Sequence, residues 1–132
     1  MTPTVPSKRR KAAVLSALIL IGLIIVAALA VPWYQKAVVR TKESLLQNNL
    51  QVLREAIDRY ENDNKNTPKT LRDLISQGYL RAVPIDPITG NDQWRIVMED
   101  AQTSVHPTEP GILDVRSTSD RRSLKGDSYS AW

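Results

Sequence analysis

An uncharged apolar segment near the start of the chain limits what this protein can fold into. Twenty consecutive residues from Ala12 to Val31 carry no charge, and twelve of them are Leu, Ile or Val. A helix needs about 20 such residues to cross the hydrocarbon core of a bilayer. The twelve large aliphatic side chains also give an insertion free energy of about −5 kcal/mol. The sequence therefore predicts a membrane-spanning helix over residues 12–32.

The charges on either side of this segment predict its orientation. Lys8–Lys11 supply four consecutive positive charges, and the chain after Trp33 carries 14 Lys and Arg residues against 14 Asp and Glu residues. Because basic residues tend to stay on the cytoplasmic side of a membrane, residues 1–11 are predicted to form a cytoplasmic leader and residues 33–132 an exported domain. Trp33 and Tyr34 then lie where interfacial aromatic side chains are expected.

The composition of the exported part argues against several functions. Nucleic acid is not an expected partner, because binding phosphate backbones requires a sustained excess of Lys and Arg on one face. The chain has no cysteine and therefore no disulfide, thiolate metal site or thiol nucleophile. His106 is the only histidine, and the five glycines are not clustered into a phosphate-binding loop. The sequence predicts a protein that is not an enzyme.

The apolar segment has a second interpretation as a secretory signal. Ala28-Leu29-Ala30 form an A-x-A pattern after a basic and an apolar region, and cleavage there would release a protein that starts at Val31. The uncharged run is longer than the roughly 7–15 residues of a typical signal. Length therefore favours a retained anchor, while cleavage stays open.

A single amphipathic helix is predicted beyond the apolar segment. Neither Gly nor Pro occurs from residue 33 to residue 67, and Pro32 is expected to bend the helix without ending it. Apolar residues recur on one helical face at spacings of three, four and seven. These residues are Val39, Leu46, Leu50, Leu53, Ile57 and Tyr60. The pattern predicts a helix over residues 33–62 with one face that packs on a domain.

The rest of the chain predicts a small α+β domain on that helix. A capping box that begins at Thr70 starts a short helix at residues 71–77. Short apolar runs predict antiparallel strands at residues 94–99 and 112–116, followed by a C-terminal loop at residues 117–132. Two strands are marginal in water and must therefore pack on the helix. The expected helix–sheet core comprises Leu46, Leu50, Leu53, Ile57, Tyr60, Trp94 and Ile96.

The order of these segments resembles that of the type II secretion major pseudopilins and, more broadly, of type IV pilin-like proteins. The resemblance rests on "ALAVP" at residues 28–32, "LREAIDRYENDN" at 53–64, "TLRDLISQGYLRAVPIDPITG" at 70–90, "QWRIV" at 93–97, and an ending with "DVRSTSD" and "YSAW".

The resemblance implies a single-pass protein of the bacterial inner membrane with a periplasmic C-terminal domain. Its N-terminal helix would pack with other pilin-like subunits in a homo- or heteromeric filament, and a secretion or pilus assembly platform would be a further partner. The assembly residues implied on that helix are Leu15, Leu18, Gly22, Ile25 and Pro32.

Two hallmark residues of that family are absent from this chain. Placing Pro32 on the family's helix-bending proline puts Arg10 where precursors have the Gly before the cleavage site. Lys11 is then the first mature residue, and Leu15 stands where the family has Glu. The loss of a costly intramembrane carboxylate would suit a filament tip or a subunit that stays in the membrane. A monomeric anchored domain is the other interpretation.

The resemblance also implies a calcium site in the final loop. Asp120 and Asp127 match the family's ligands by position, while Arg121, Arg122 and Lys125 stand close to them in the sequence. Calcium prefers about six to eight oxygen ligands, and nearby cations weaken its binding. A solvated charged loop is the alternative expectation.

Overall fold

The computed structural model describes residues 8–104 and 109–132 and confirms an α+β fold with a long N-terminal helix. Helix α1 spans Lys8–Asn64 and helix α2 spans Leu71–Ser76. Strands β1 and β2 span Trp94–Met98 and Ile112–Ser117, and a 3₁₀ turn follows at Tyr129–Ala131. The helices and strands end one or two residues away from their predicted C-terminal ends. The chain divides into two compact units after residue 38.

In the first unit, α1 continues through Pro32 without interruption. A proline inside a helix removes one backbone hydrogen bond, yet the residues on both sides remain helical. The hydroxyl of Ser16 bonds to the carbonyl oxygens of Ala12 and Ala13, at 2.9 Å and 3.0 Å. The one hydroxyl of the uncharged run is thus satisfied within the helix, as a membrane interior requires. By length and composition α1 is apolar enough to cross a membrane.

In the second unit, α1 buries one face in the core of the domain. Leu46 and Leu53 are 0% exposed and Leu50 is 2% exposed. The core also contains Ala56, Ile57, Leu74, Leu80, Ile88, Trp94, Ile112, Val115 and Tyr129. Tyr60 lies at its margin and packs edge-on against Tyr79, with ring centroids 5.5 Å apart. The apolar stripe of α1 is therefore the surface on which the domain is built.

Capping residues set both ends of α2. The Asp73 N–H donates to Thr70 Oγ1 at 3.3 Å, and the Thr70 N–H donates to Asp73 Oδ2 at 2.8 Å, which forms the capping box. Gly78 follows the helix with a φ of 83°, which glycine adopts without a Cβ clash. The chain then turns back, and the Leu80 N–H donates to the carbonyl of Leu74 at 3.0 Å. This turn brings Leu80 into the core.

A guanidinium group attaches β2 to α1. Arg54 donates from Nε to Asp114 Oδ1 at 2.7 Å and from Nη2 to the carbonyl of Val115 at 3.1 Å. A backbone bond also holds β2, since the N–H of Ile112 donates to the carbonyl of Pro68 at 2.7 Å.

The hydrogen bonds of Asp114 also determine its acidity. Partial burial alone would raise the pKa of Asp114, but the bonds from Arg54 and from the Val115 N–H outweigh the effect of burial, so this pKa lies below its usual value.

The two strands form an antiparallel sheet in which β2 contributes most to the core. The register pairs Trp94 with Ser117 at one end and Met98 with Ile112 at the other, with an irregularity just before Met98. Ile112 and Val115 are 1% and 0% exposed, respectively. In β1 only Trp94 is buried.

Ile96 departs from the prediction that placed it in the helix–sheet core. It is 37% exposed, whereas Trp94, two residues earlier on the same face of the strand, is 8% exposed. Within the described residues β1 pairs only with β2, and β2 makes the contacts to Arg54, so the middle of β1 lies beyond the surface that α1 covers. Ile96 instead lines a surface groove with Leu71 and Met98.

A buried carboxylate organises the turn between α2 and β1. Asp86 is 0% exposed, and its Oδ1 accepts hydrogen bonds from the N–H groups of Ile88 at 2.7 Å and Thr89 at 3.4 Å. The hydroxyl of Ser117 donates to Asp86 Oδ2 at 2.5 Å. The carboxylate therefore joins the turn to the end of β2.

Replacing Asp86 by Ala is expected to lower the free energy of unfolding by about 2–4 kcal/mol, because three donors lose their acceptor. Asp86→Asn is the matched control, since its amide can still accept the backbone bonds and donate to Ser117, and it should retain most of the stability. Urea denaturation in mild detergent, followed by Trp fluorescence, measures both variants. An Asp86→Ala variant as stable as the unmodified chain would contradict this account.

Candidate functional site

The apolar segment, residues 12–32, presents uncovered aliphatic side chains on every side of α1. Its twelve Leu, Ile and Val residues are 52–71% exposed, with Leu15 at 63%, Leu18 at 60% and Ile25 at 54%. A Cβ added at Gly22 would meet nothing within 4 Å. Exposure does not distinguish one face of this segment from another. So much apolar surface requires either lipid or another protein to cover it.

A second candidate site is the C-terminal loop, residues 118–132, which α1 holds through Glu43. Oε1 of this carboxylate accepts hydrogen bonds from the Leu124 N–H at 2.7 Å and from the Tyr129 hydroxyl at 2.9 Å. Tyr129 is 3% exposed, and its ring packs edge-on against Trp132 with centroids 5.2 Å apart. The loop is therefore fixed to the domain at both its middle and its end.

Glu43 was not a candidate in the sequence analysis, although a signal for it exists. It is the first acidic residue of the chain, and it precedes Leu46 by three positions and Leu50 by seven. These spacings place a carboxylate next to the buried stripe of the helix, where it needs hydrogen-bond donors. The donors come from residues 81 and 86 positions away, and no local pattern identifies them.

The environment of Tyr129 makes its hydroxyl a weaker acid. Burial raises the pKa of Tyr129 to about 12, and the hydrogen bond to Glu43 and the negative charge of that carboxylate act in the same direction. The unfolded chain has the ordinary tyrosine pKa of about 10. The folded state therefore holds this proton more tightly, and the resulting stability is fully present below about pH 10.

Raising the pH from 10 to 12 is expected to remove about 2 kcal/mol of stability through Tyr129, because the unfolded chain loses this proton first. Tyr129→Phe, which cannot titrate, should be less stable below pH 10 and should lose less stability above it. The difference between the two proteins in free energy of unfolding, measured at each pH, removes the contributions of other titrating groups. Parallel pH profiles for the two proteins would contradict the assignment.

The calcium site expected in the C-terminal loop stays a prediction, and the contacts of the loop's residues favour the alternative expectation of a charged loop. The Asp120 side chain is 81% exposed, and its nearest charged partner is the Arg95 guanidinium at 3.7 Å. Arg122 Nη1 donates to the carbonyl of Gly126 at 2.8 Å, and the carbonyl of Asp127 accepts the Ser123 N–H at 2.7 Å. Two carbonyl oxygens of the loop thus already accept hydrogen bonds from protein donors, whereas calcium needs about six to eight oxygen ligands. Within the described ranges, no three His, Asp or Glu residues form a metal-binding group.

Calcium is therefore expected to leave the thermal stability of the protein unchanged. The melting temperature in millimolar CaCl₂ should equal that in EGTA, because the loop is held by Glu43 and by its own hydrogen bonds. Glu43→Gln, which keeps the size of the side chain, should lower the melting temperature equally in both buffers. A rise of several degrees on addition of calcium, abolished by Asp120→Asn or Asp127→Asn, would overturn this conclusion.

Two sequence predictions lie outside the described residues. His106 falls in residues 105–108, so the expectation that this histidine has no catalytic role stays a prediction. The same holds for residues 1–7 of the proposed leader, whereas Lys8–Lys11 form the start of the described helix. The predicted orientation of the chain across a membrane likewise stays a prediction.

Comparison of the chain with family models, with curated proteins and with solved structures finds no match. The order of elements, a long apolar N-terminal helix followed by a small antiparallel sheet, is compatible with that of pilin-like proteins. The apolar segment and the loop on Glu43 are therefore interpreted below from their own geometry and chemistry.

Proposed function

We propose that this protein is a pilin-like structural subunit of a type II secretion pseudopilus or a type IV pilus-like assembly. Its apolar segment is held in the bacterial inner membrane with the N-terminus in the cytoplasm. The domain that follows lies in the periplasm. The segment then packs against other pilin-like subunits, so the role of the chain is structural and not catalytic.

The observation that carries this proposal is the uncovered apolar surface of α1. Twelve aliphatic side chains, each more than half exposed, follow one another within 18 residues of one helix. Burying one such side chain stabilises it by roughly 1.5–3 kcal/mol, so the segment has a strong drive to enter lipid or to pack against like helices. A filament subunit needs both, because it is stored in the membrane and then assembled.

The domain beyond the membrane supports the same role. It uses the continuation of the same helix as the foundation of its core, with Leu46, Leu50 and Leu53 fully buried. A helix that packs on its own domain at one end and exposes apolar residues at the other suits a subunit that polymerises through its N-terminal half.

Leu15 bears on which position in a filament such a subunit would occupy. It is 63% exposed and apolar, so it adds to the uncovered surface where the resembled family has a carboxylate. A subunit with Leu15 has no charge at this position to pair with a neighbour's amine. This favours a filament tip or a subunit that remains in the membrane over a subunit repeated along a shaft.

Membrane retention and assembly are tested together. Because the chain has no native cysteine, the double variant Leu18→Cys/Ile25→Cys places thiols only in the apolar segment. The full-length protein should resist extraction by alkaline carbonate, and mild oxidation of membranes should yield covalent dimers and larger species. A pair at Ile85 and Leu113, two exposed positions of the domain, controls for random collisions.

The outcomes separate the alternatives. A soluble protein whose intact mass starts at Val31 would show a cleaved secretory signal and a periplasmic interaction module. Retention in the membrane without cross-links above the control would show a monomeric anchored domain. A mass that starts at Lys11 would show processing of the pilin type despite Arg10, and would support the proposal.

A further inference from the structure

Four consecutive cations surround one turn of α1 immediately before the apolar segment. Lys8–Lys11, here called the basic collar, are all helical and all exposed. Successive residues of a helix are about 100° apart and rise ~1.5 Å each, so the four side chains point in all directions within about 5 Å along the axis. The collar is therefore a ring of positive charge and not a one-sided patch.

In the part of the chain that the structure describes, no carboxylate pairs with this ring. No Asp or Glu occurs before Glu43 in the sequence. Among the described residues, none of the ion pairs involves a residue of the collar. Four cations within one helical turn repel one another, so this turn gains stability from anions supplied by another molecule.

The position of the collar along the helix determines which anions it can meet. Lys11 directly precedes the apolar segment, and Lys36, the next basic residue, lies 25 positions later. At ~1.5 Å per residue this distance is about 38 Å, more than the hydrocarbon thickness of about 30 Å and less than the full bilayer of about 40–45 Å. A helix inserted over residues 12–32 therefore places the collar at the level of the lipid headgroups.

We propose that the basic collar binds the headgroups of acidic phospholipids around the helix. This inference rests on the proposed membrane insertion of the apolar segment and adds a partner to it. Each Lys or Arg near an anionic lipid surface strengthens the attraction roughly fivefold, and the effect decays within a Debye length. Because the collar faces every direction, it selects acidic lipids whichever face of the helix later packs against another protein.

The test compares lipids around the reconstituted full-length protein. Vesicles contain phosphatidylcholine and phosphatidylglycerol in both leaflets, with a trace of spin-labelled lipid of either type. The unmodified chain should immobilise phosphatidylglycerol at least about threefold more strongly than phosphatidylcholine, and 1 M NaCl should reduce this preference. The variant K8Q/R9Q/R10Q/K11Q should bring the ratio close to one.

Controls distinguish the effect of charge on the lipid preference from the effect of residue type, and binding of lipid headgroups from binding of a free anion. The swapped variant K8R/R9K/R10K/K11R keeps the charge and should keep the preference, whereas K36Q, which removes a single cation, should lower it less than the glutamine variant of the collar does. Millimolar inorganic phosphate should not displace the labelled lipid if the collar binds a headgroup layer. Displacement by phosphate, or an unchanged preference in the glutamine variant, would overturn the proposal.

Failure of membrane insertion is distinguishable from failure of lipid selection. A chain that does not float with the vesicles would contradict the membrane anchor and with it the proposed function. A chain that floats and immobilises both lipids equally would contradict only the collar. Flotation is therefore measured on every variant before the spectra are compared.

Discussion

One helix in this protein must satisfy two different burial requirements. Between residues 14 and 31 its aliphatic side chains are 52–71% exposed on all sides, whereas between residues 46 and 57 one stripe of side chains is 0–3% exposed. The stripe is covered by the chain's own domain, so the second unit has a complete core. In the described part of the first unit these side chains have no such cover. Burying them in lipid or against another protein would be favourable. The proposed function follows from this difference.

Charged side chains complete the attachment of the domain to α1. Arg54 holds β2 through the carboxylate of Asp114 and the carbonyl of Val115, and Glu43 holds the C-terminal loop through a backbone N–H and the Tyr129 hydroxyl. Both side chains project from the helix close to its apolar stripe. The stripe supplies most of the burial, and these polar groups position the segments that pack on it.

Local patterns in the sequence were enough for the helices and for the apolar segment. Spacing alone identified the buried stripe of α1, and the Thr70–Asp73 capping box identified the start of α2. The exposure of Ile96 could not be predicted from the alternation of side chains along the strand. Alternation predicts on which face of the sheet a side chain lies, but not how much of that face the rest of the core covers. The partners of Glu43 lie 81 and 86 positions away in the chain, and Ser117, the hydroxyl partner of Asp86, lies 31 positions away, so only the tertiary fold brings these groups together. For the C-terminal loop, positional likeness suggested calcium, which stays a prediction, and no pattern in the sequence indicated that two of the loop's carbonyls accept hydrogen bonds from Arg122 and Ser123.

The contacts of β2 also determine how the sheet can meet another chain. Outside its ladder with β1, β2 has its Ile112 N–H bonded to Pro68 and its Val115 carbonyl bonded to Arg54. A foreign strand that approached this side would have to break both bonds before it could pair. Pairing with a strand of another molecule is thereby disfavoured on this side of the sheet.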